Sequence, residues 1–466
     1  MPMSLTDAFS TSPALAAAMS EQALIDGVFA FEAALAQAQA LEGVIPAAAA
    51  EAIIQAASQM QVTAQDVAGD AARAGVLTIP LVKLLIGDVR ARDASAAGYV
   101  HFGATSQDAL DTALVRQFDQ AIALIDADLA RLATAAANLA HAHRDTIMLG
   151  RTLLQPATPI AFGQKAAQWL LAAIEDRARI KEAALAALRI QFGGASGNLG
   201  SLGEKGAAVS ARLAALLPLR FGAPIDGPVV PWHTRRGNLL SLCSSLAIAT
   251  LGAAKIARDV ALMAQWEVGE LAEPPEEGRG VSSAMPHKQN PVRCMATISA
   301  GLRAPGLLAA LLSGALQEHE RALGGWQAEW PTLPELVKVT GGAIANMADT
   351  LEGLIVDEAR MRANFDDLRG LPLAEIASLA LAPAIGRDGA HAIVTRASRS
   401  VVANQTSLAQ EVTREIAQLR EVGDRLTAAD LAKALDPHHA LGASSTFIDA
   451  SLAAWRNQTA LFNLET

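Results

Sequence analysis

From Ser106 to about residue 144 the chain carries neither proline nor glycine, and alanine, leucine and charged residues recur throughout. A run of that length fits only a long α-helix, and Thr105 with Asp108 three positions on reads as the capping box that opens it. Four further stretches read the same way: Pro159 to about Phe192, Gly237 to Glu267, Pro291 to about Leu323 with Pro305 as a kink site, and Pro331 to about Asn364. Composition agrees. Hydrophobic residues make up 52% of the chain but aromatics only 4%, so the apolar mass is small aliphatic side chains that suit closely packed helices rather than sheets. The expected class is all-α, with an N-terminal helical domain at 1–110, a central bundle of five long helices at 111–364 and a domain of shorter helices at 365–466.

The remaining composition narrows partners and location. A formal net charge of −10 disfavours nucleic acid and anionic membrane surfaces as partners, so any anion site must be locally positive. Cys243 and Cys294 have no CxxC spacing, which argues against a disulfide framework and a structural zinc site. No Lys or Arg precedes Arg73, so the basic start of a targeting segment is missing and a cytoplasmic location is expected. The apolar window Leu239 to Ala254 is too short and too rich in Ser and Ala for a membrane span and reads as a buried helix. His141 with His143 and His438 with His439 lack helical ligand spacing, so no metal is expected. The glycine-rich run from Gly193 to Gly200 follows a helical pattern and lacks the Gly-Lys-Ser/Thr ending of a phosphate loop.

Chemistry is concentrated at 280–291, Gly-Val-Ser-Ser-Ala-Met-Pro-His-Lys-Gln-Asn-Pro, where two hydroxyls, an imidazole, an ammonium and two carboxamides share twelve residues. Glycine and proline discourage regular structure there, and Asn290-Pro291 reads as the start of the next helix. Helix-end N–H groups together with Lys288 would form a receptor for a carboxylate or phosphate. Two other polar segments precede it: His101-Phe102-Gly103-Ala104-Thr105-Ser106-Gln107-Asp108, and Gly150-Arg151-Thr152-Leu153-Leu154-Gln155-Pro156, the latter a connector between helices.

These three segments resemble the conserved regions of the fumarase/aspartase superfamily, whose members add or eliminate across the bond beta to a carboxylate. The resemblance implies a tetrameric helical core in which each active site draws its segments from three chains. It places the proton-transferring serine at Ser282, with Ser283, His287, Lys288 and Asn290 beside it. It also places His101, Thr105 and Ser106 against substrate carboxylates and has Arg151, Thr152 and Gln155 line the active site. No cofactor is implied. The departures are Val281, where the superfamily usually has glycine, and Leu153, where the adenylosuccinate and argininosuccinate lyases have a histidine that handles the leaving amine. Leucine transfers no proton.

The chain is similar instead to the 3-carboxy-cis,cis-muconate cycloisomerase branch, on Pro231-Trp232-His233-Thr234-Arg235-Arg236, on Gln317-Glu318-His319-Glu320-Arg321 with Trp326 and Ala328-Glu329-Trp330, and on Leu435-Asp436-Pro437. That branch implies lactone closure by a substrate carboxylate, which needs one proton donor and no acid for a leaving group. His233 and Arg236 read as carboxylate-facing groups, and His319 and Arg321 read equally as a solvated helix end. Ser282 leads as proton donor on resemblance, with His287 and His101 as rivals because imidazole titrates near neutrality. An adenylosuccinate- or argininosuccinate-type lyase, a sulfomuconate cycloisomerase and a non-catalytic helical scaffold are the alternatives.

Overall fold

The computed structural model describes residues 4–223, 227–285, 287–418 and 428–464; Pro286 of the polar loop lies outside them. Five long helices dominate: Ser106–Ala142, Phe162–Ala187, Gly237–Met263, Val292–Gly314 and Gly325–Glu352. The first has 37 residues and is about 55 Å long. The chain forms two compact units: Met1–Leu129, Glu175–Lys255 and Ala296–Asn346 make the first, Ala130–Ile174, Ile256–Met295 and Met347–Thr466 the second. Every boundary between them falls inside one of the five long helices.

In the first unit, Val28, Phe31, Leu35 and Ala38 on Glu21–Leu41 form one buried stripe, as do Leu81, Leu85 and Val89 on Thr78–Arg92. Phe31 meets Phe192 edge to face at 6.4 Å between ring centres. Small residues set the spacing. A Cβ on Gly27 would lie 2.9 Å from the Cβ of Ala113, so the 21–41 and 106–142 helices touch nearly backbone to backbone. In the second unit, Leu381, Ala390, Ile393, Ala397 and Val401 pack with Leu408 and Val412 of Leu408–Ala417, whose start carries a Ser407/Gln410 capping box.

Several boundaries differ from expectation for local reasons. The 147–161 segment, expected as a connector, is an antiparallel hairpin of β1 (Ile147–Thr152) and β2 (Gln155–Ala161). Its prolines 156 and 159 are tolerated because each strand of a two-stranded ribbon has a free edge. The fourth long helix stops at Gly314, short of 323, and the fifth starts at Gly325, ahead of Pro331, because the Gln327 side chain accepts the Gly324 N–H and caps the helix there. The fifth also ends at Glu352, and Glu358–Asp366 is a separate helix capped by Asp357. Gly237–Met263, with Glu21–Leu41 and Val292–Gly314, is by length and composition alone capable of crossing a bilayer, contrary to the length expected of its apolar window. Its most apolar stretch is 61% buried within the fold.

Candidate active site

In the first unit the site grows from the start of the 106–142 helix. Asp108 accepts the Thr105 N–H at 3.1 Å, the half of the capping box in which the third residue reaches back. The same carboxylate accepts three more N–H groups, from Gly193 at 3.2 Å, Gly194 at 2.8 Å and the Gln191 side chain at 3.0 Å. The glycine-rich turn thus directs its N–H groups toward a carboxylate of the chain itself. Burial pushes the Asp108 carboxyl above its usual range, against these donors and Arg321, which favour the charged form. With four N–H groups aimed at two oxygens, a proton on that carboxyl would face a donor, so we take it as ionised. Arg321 donates to the carbonyls of Gly194 and Ala195 and to the Gln107 side chain, and so clamps the turn instead of ending a solvated helix.

Thr105 and Ser106 are half-buried at this helix start, and their hydroxyls hold no partner among the described residues. His101 sits in the left-handed region at φ 60° and bonds the buried Glu32 carboxylate through Nδ1 at 2.5 Å. Burial acts to lower its pKa, but the charge and hydrogen bond of Glu32 outweigh it and hold the ring protonated above the ordinary histidine value. His101 is therefore tied to Glu32 by a contact that favours the charged ring.

Arg236 does not face substrate. Its side chain has no exposed surface and is enclosed between Asp111, at 2.8 and 3.3 Å, and Glu329, at 3.0 Å through Nε and again through Nη2. It lies over the Trp232 ring at 4.7 Å, and Trp326 Nε1 donates to Asp111 at 3.0 Å. Two carboxylates 93 and 125 positions away claim the cation that the sequence offers to a ligand. His233, close by in sequence, is 7% exposed; burial first, then Arg321, depress its pKa to about 4.

In the second unit, Thr152 and Gln155 form the last pair of the hairpin, with Leu153 and Leu154 as its two-residue turn. Both turn residues have positive φ, 51° and 64°, the signature of a type I′ turn, and they are 96% and 75% exposed. Thr152 and Gln155 are exposed at this tip. Arg151 pairs through two bonds, 2.6 and 2.8 Å, with the fully buried Glu270, which Asn364 also bonds at 2.8 Å. Its charge is thereby matched inside the chain.

The 280–290 loop is a small clasp. Asn290 donates its backbone N–H and its side chain to the Gly280 carbonyl, at 2.9 and 3.1 Å, and Val281 bridges Gln289. Val281 is thus extended, a conformation a β-branched residue favours. Gly280 is at φ 71° and a Cβ there would meet the Asn290 carbonyl at 2.6 Å, which requires glycine. Ser282, half-buried, accepts the Met285 N–H at 3.1 Å, leaving its own O–H free to turn outward. Ser283, His287 and Lys288 are exposed. The helix start beyond the loop differs from expectation: Glu273 takes the N–H groups of Arg293 and Cys294, at 3.2 and 2.7 Å, so this end is already capped by a carboxylate of the chain. Among the described residues no group of three metal-binding side chains occurs.

Thus the first unit gathers His101, Thr105, Ser106, His233 and the internal Arg236, and the second gathers Arg151, Thr152, Gln155 and the 282–290 group. Their charges and amides are held by Gln191, Asp111 and Glu329 in the first unit and by Glu270 and Glu273 in the second, and sequence reasoning missed these partners. For Gln191 the signal was present: one amide between Ile190 and Phe192, immediately before a Gly-Gly pair.

A family model described as Lyase matches residues 4–306, and one described as Adenylosuccinate lyase C-terminus matches 370–451. The chain is 43% identical, over 95% of its length and 96% of the relative's, to a 3-carboxy-cis,cis-muconate cycloisomerase of Bradyrhizobium diazoefficiens. It is 40% identical, over 94% and 91%, to a nitrosuccinate lyase of Streptomyces davaonensis. The crystal structure of a 3-carboxy-cis,cis-muconate lactonizing enzyme from Pseudomonas putida superimposes with a TM-score of 0.88 at 40% identity, covering 98% of this chain and 99% of that one.

Proposed function

Because the chain belongs to the fumarase/aspartase superfamily, we propose that it closes 3-carboxy-cis,cis-muconate to 4-carboxymuconolactone by reversible addition of a substrate carboxylate to an alkene. The observation that carries this reading is the hairpin tip. Leu153 stands 96% exposed between Thr152 and the Leu154–Gln155 corner, where an amine-releasing lyase needs a proton donor. Ring closure needs none there: the attacking oxygen is already anionic, and no group departs. The C–O bond forms as the alkene electron pair moves onto the conjugated carboxylate, and the resulting aci-carboxylate then takes a proton on carbon.

Neutral donors and Lys288 stabilise that developing charge, from the Thr105 and Ser106 hydroxyls and the Asn290 amide. Ser282 delivers the proton, its hydroxyl oxygen already held by the Met285 N–H. We further propose a cytoplasmic homotetramer whose sites combine the segments around 105, 152 and 282 from different protomers, acting in aromatic degradation through protocatechuate. The test is to supply 3-carboxymuconate and follow its conjugated-diene absorbance. Loss of absorbance with lactone formation supports the reading, and cleavage of adenylosuccinate without it refutes it. Ser282→Ala should lower turnover by roughly 100-fold or more, and full activity in that variant removes Ser282 as donor.

One second reading has specific support, the 40% identity to a nitrosuccinate lyase. Nitrite departs as an anion and, like the lactone oxygen, asks for no proton donor at 153. Nitrosuccinate offered in the same assay separates the two.

A further inference from the structure

His233 is nine-tenths buried, and its Nε2 makes no hydrogen bond among the described residues. The other ring nitrogen is fixed by an unusually complete chain of contacts. Gln191 accepts the Trp232 backbone N–H on Oε1 at 2.8 Å, and a backbone N–H can only donate. The amide nitrogen must therefore be Nε2, which donates to Asp108 Oδ1 at 3.0 Å. Its second hydrogen meets His233 Nδ1 at 3.4 Å. The rest of Gln191 is equally held: its backbone N–H donates to the Thr112 hydroxyl at 2.9 Å and its carbonyl accepts from that hydroxyl at 3.0 Å. A proton on Nδ1 would face an N–H, so Nδ1 is a lone pair and the ring proton sits on Nε2.

The ring is packed where only glycine leaves room. A Cβ on Gly197 would lie 2.6 Å from His233 Cε1 and 3.2 Å from Nε2, and Gly197 has φ 86°. The charged groups around the imidazole are Arg321, Arg236 and Arg235, which disfavour imidazolium, and Asp111, which favours it; with burial the balance favours the neutral ring. With no partner among the described residues, the Nε2–H is left for an acceptor from outside the chain.

We infer that His233 serves as a fixed neutral hydrogen-bond donor through Nε2 to a substrate carboxylate oxygen as charge develops on it, with Gln191 and Asp108 as the positioning residues that set its tautomer. This rests on the reading of the site as a carboxylate-stabilising one. A neutral donor is suited to that role because it stabilises the aci-carboxylate without competing with Ser282 to protonate carbon. The arrangement also gives the buried Asp108 a reason to exist, since one carboxylate fixes both the glycine turn that makes room for the ring and the amide that orients it.

The test begins with the unmodified protein. In a ¹⁵N-histidine-labelled, ligand-free sample, with the His233 signals assigned through His233→Gln, Nδ1 should show the unprotonated shift and Nε2 the protonated one from about pH 6 to about pH 8. A protonated Nδ1 in that range overturns the assignment. This spectrum needs no turnover, so it stands apart from the proposed activity: the expected tautomer with no muconate conversion leaves the tautomer intact and removes the activity.

Kinetics test the role. Gln191→Leu should lower kcat about 10-fold with KM little changed, and in the ¹⁵N spectrum it should let the ring populate the Nδ1-protonated tautomer. His233→Gln, which can place an amide N–H near the Nε2 position, should retain more kcat than His233→Leu. Equal activity in those two variants, or an unchanged tautomer in Gln191→Leu, refutes the donor role.

Discussion

Replacing Arg236 with methionine tests the internal charge knot most directly. The side chain volume is roughly kept, while Asp111 and Glu329, 1% and 3% exposed, lose the cation between them. Asp111 retains donors from Gln107 at 3.1 Å and Trp326 at 3.0 Å, whereas among the described residues Glu329 retains only Gln317 at 3.2 Å. Removing one partner of a buried ion pair costs about 3–5 kcal/mol, and the lost stacking on Trp232 adds about 1 kcal/mol, so a loss of about 5 kcal/mol is expected at neutral pH.

The loss should depend on pH with a definite sign. Burial already raises the Glu329 pKa and Arg236 opposes it. Without Arg236 the folded state binds a proton on Glu329 at a pH where the unfolded chain does not. Stability of the variant then falls as pH rises, with a slope of up to about 1.4 kcal/mol per unit, and recovers on acidification. Urea unfolding at fixed protein concentration across a pH series measures both quantities. A loss below about 1 kcal/mol, or one independent of pH, would refute the claim that Arg236 is there to neutralise buried carboxylates.

Other perturbations have equally definite outcomes. Leu153→Asn with Leu154→Gly supplies the residues a type I′ turn favours, and the urea midpoint should rise by an amount equivalent to roughly 1 kcal/mol; a fall would show that the two leucines are held by packing instead. Glu273→Ala removes the acceptor for the Arg293 and Cys294 N–H groups and should cost about 1–2 kcal/mol, with a raised KM because the clasp ends on that helix. His101, whose folded pKa is raised, contributes stability that is complete below its unfolded value of about 6.5 and is lost as pH rises through the folded one. His101→Gln should therefore abolish that alkaline decline, measured by the same unfolding series.

The long helices were legible because helix propensity and the absence of breakers act locally, and the 106–142 stretch needs no tertiary information to be read. The hairpin was not, because Pro156 and Pro159 argue against a strand until one sees that a two-stranded ribbon leaves their missing N–H groups at an edge. The same division holds at the site. Polar motifs were visible as motifs, but the partners of their charges were not: Glu270 lies 119 residues from Arg151 and Asp111 lies 125 from Arg236. Ion pairing between such distant positions depends on the fold and leaves no local pattern.

That hidden pairing changes how a chain with net charge −10 can hold an anionic substrate. Arg151 and Arg236 read in sequence as cations for a ligand, and Arg321 equally as a solvated helix end, yet Glu270 matches the first, Asp111 and Glu329 the second, and carbonyls with Gln107 occupy the third. Of the candidate residues, the second unit then offers Lys288 with the neutral donors Asn290 and Ser282, and the first offers the His101–Glu32 pair with the neutral donors Thr105, Ser106 and His233. Such a set favours the transition state over the substrate. Preorganised dipoles gain most where charge moves onto an oxygen during reaction, whereas exposed full charges would bind substrate and product alike and add little to the rate. Moderate substrate affinity that changes little with ionic strength, alongside a turnover sharply sensitive to loss of any one neutral donor, is the kinetic signature this arrangement requires; a KM rising steeply with salt would show instead that unpaired cations do the gripping.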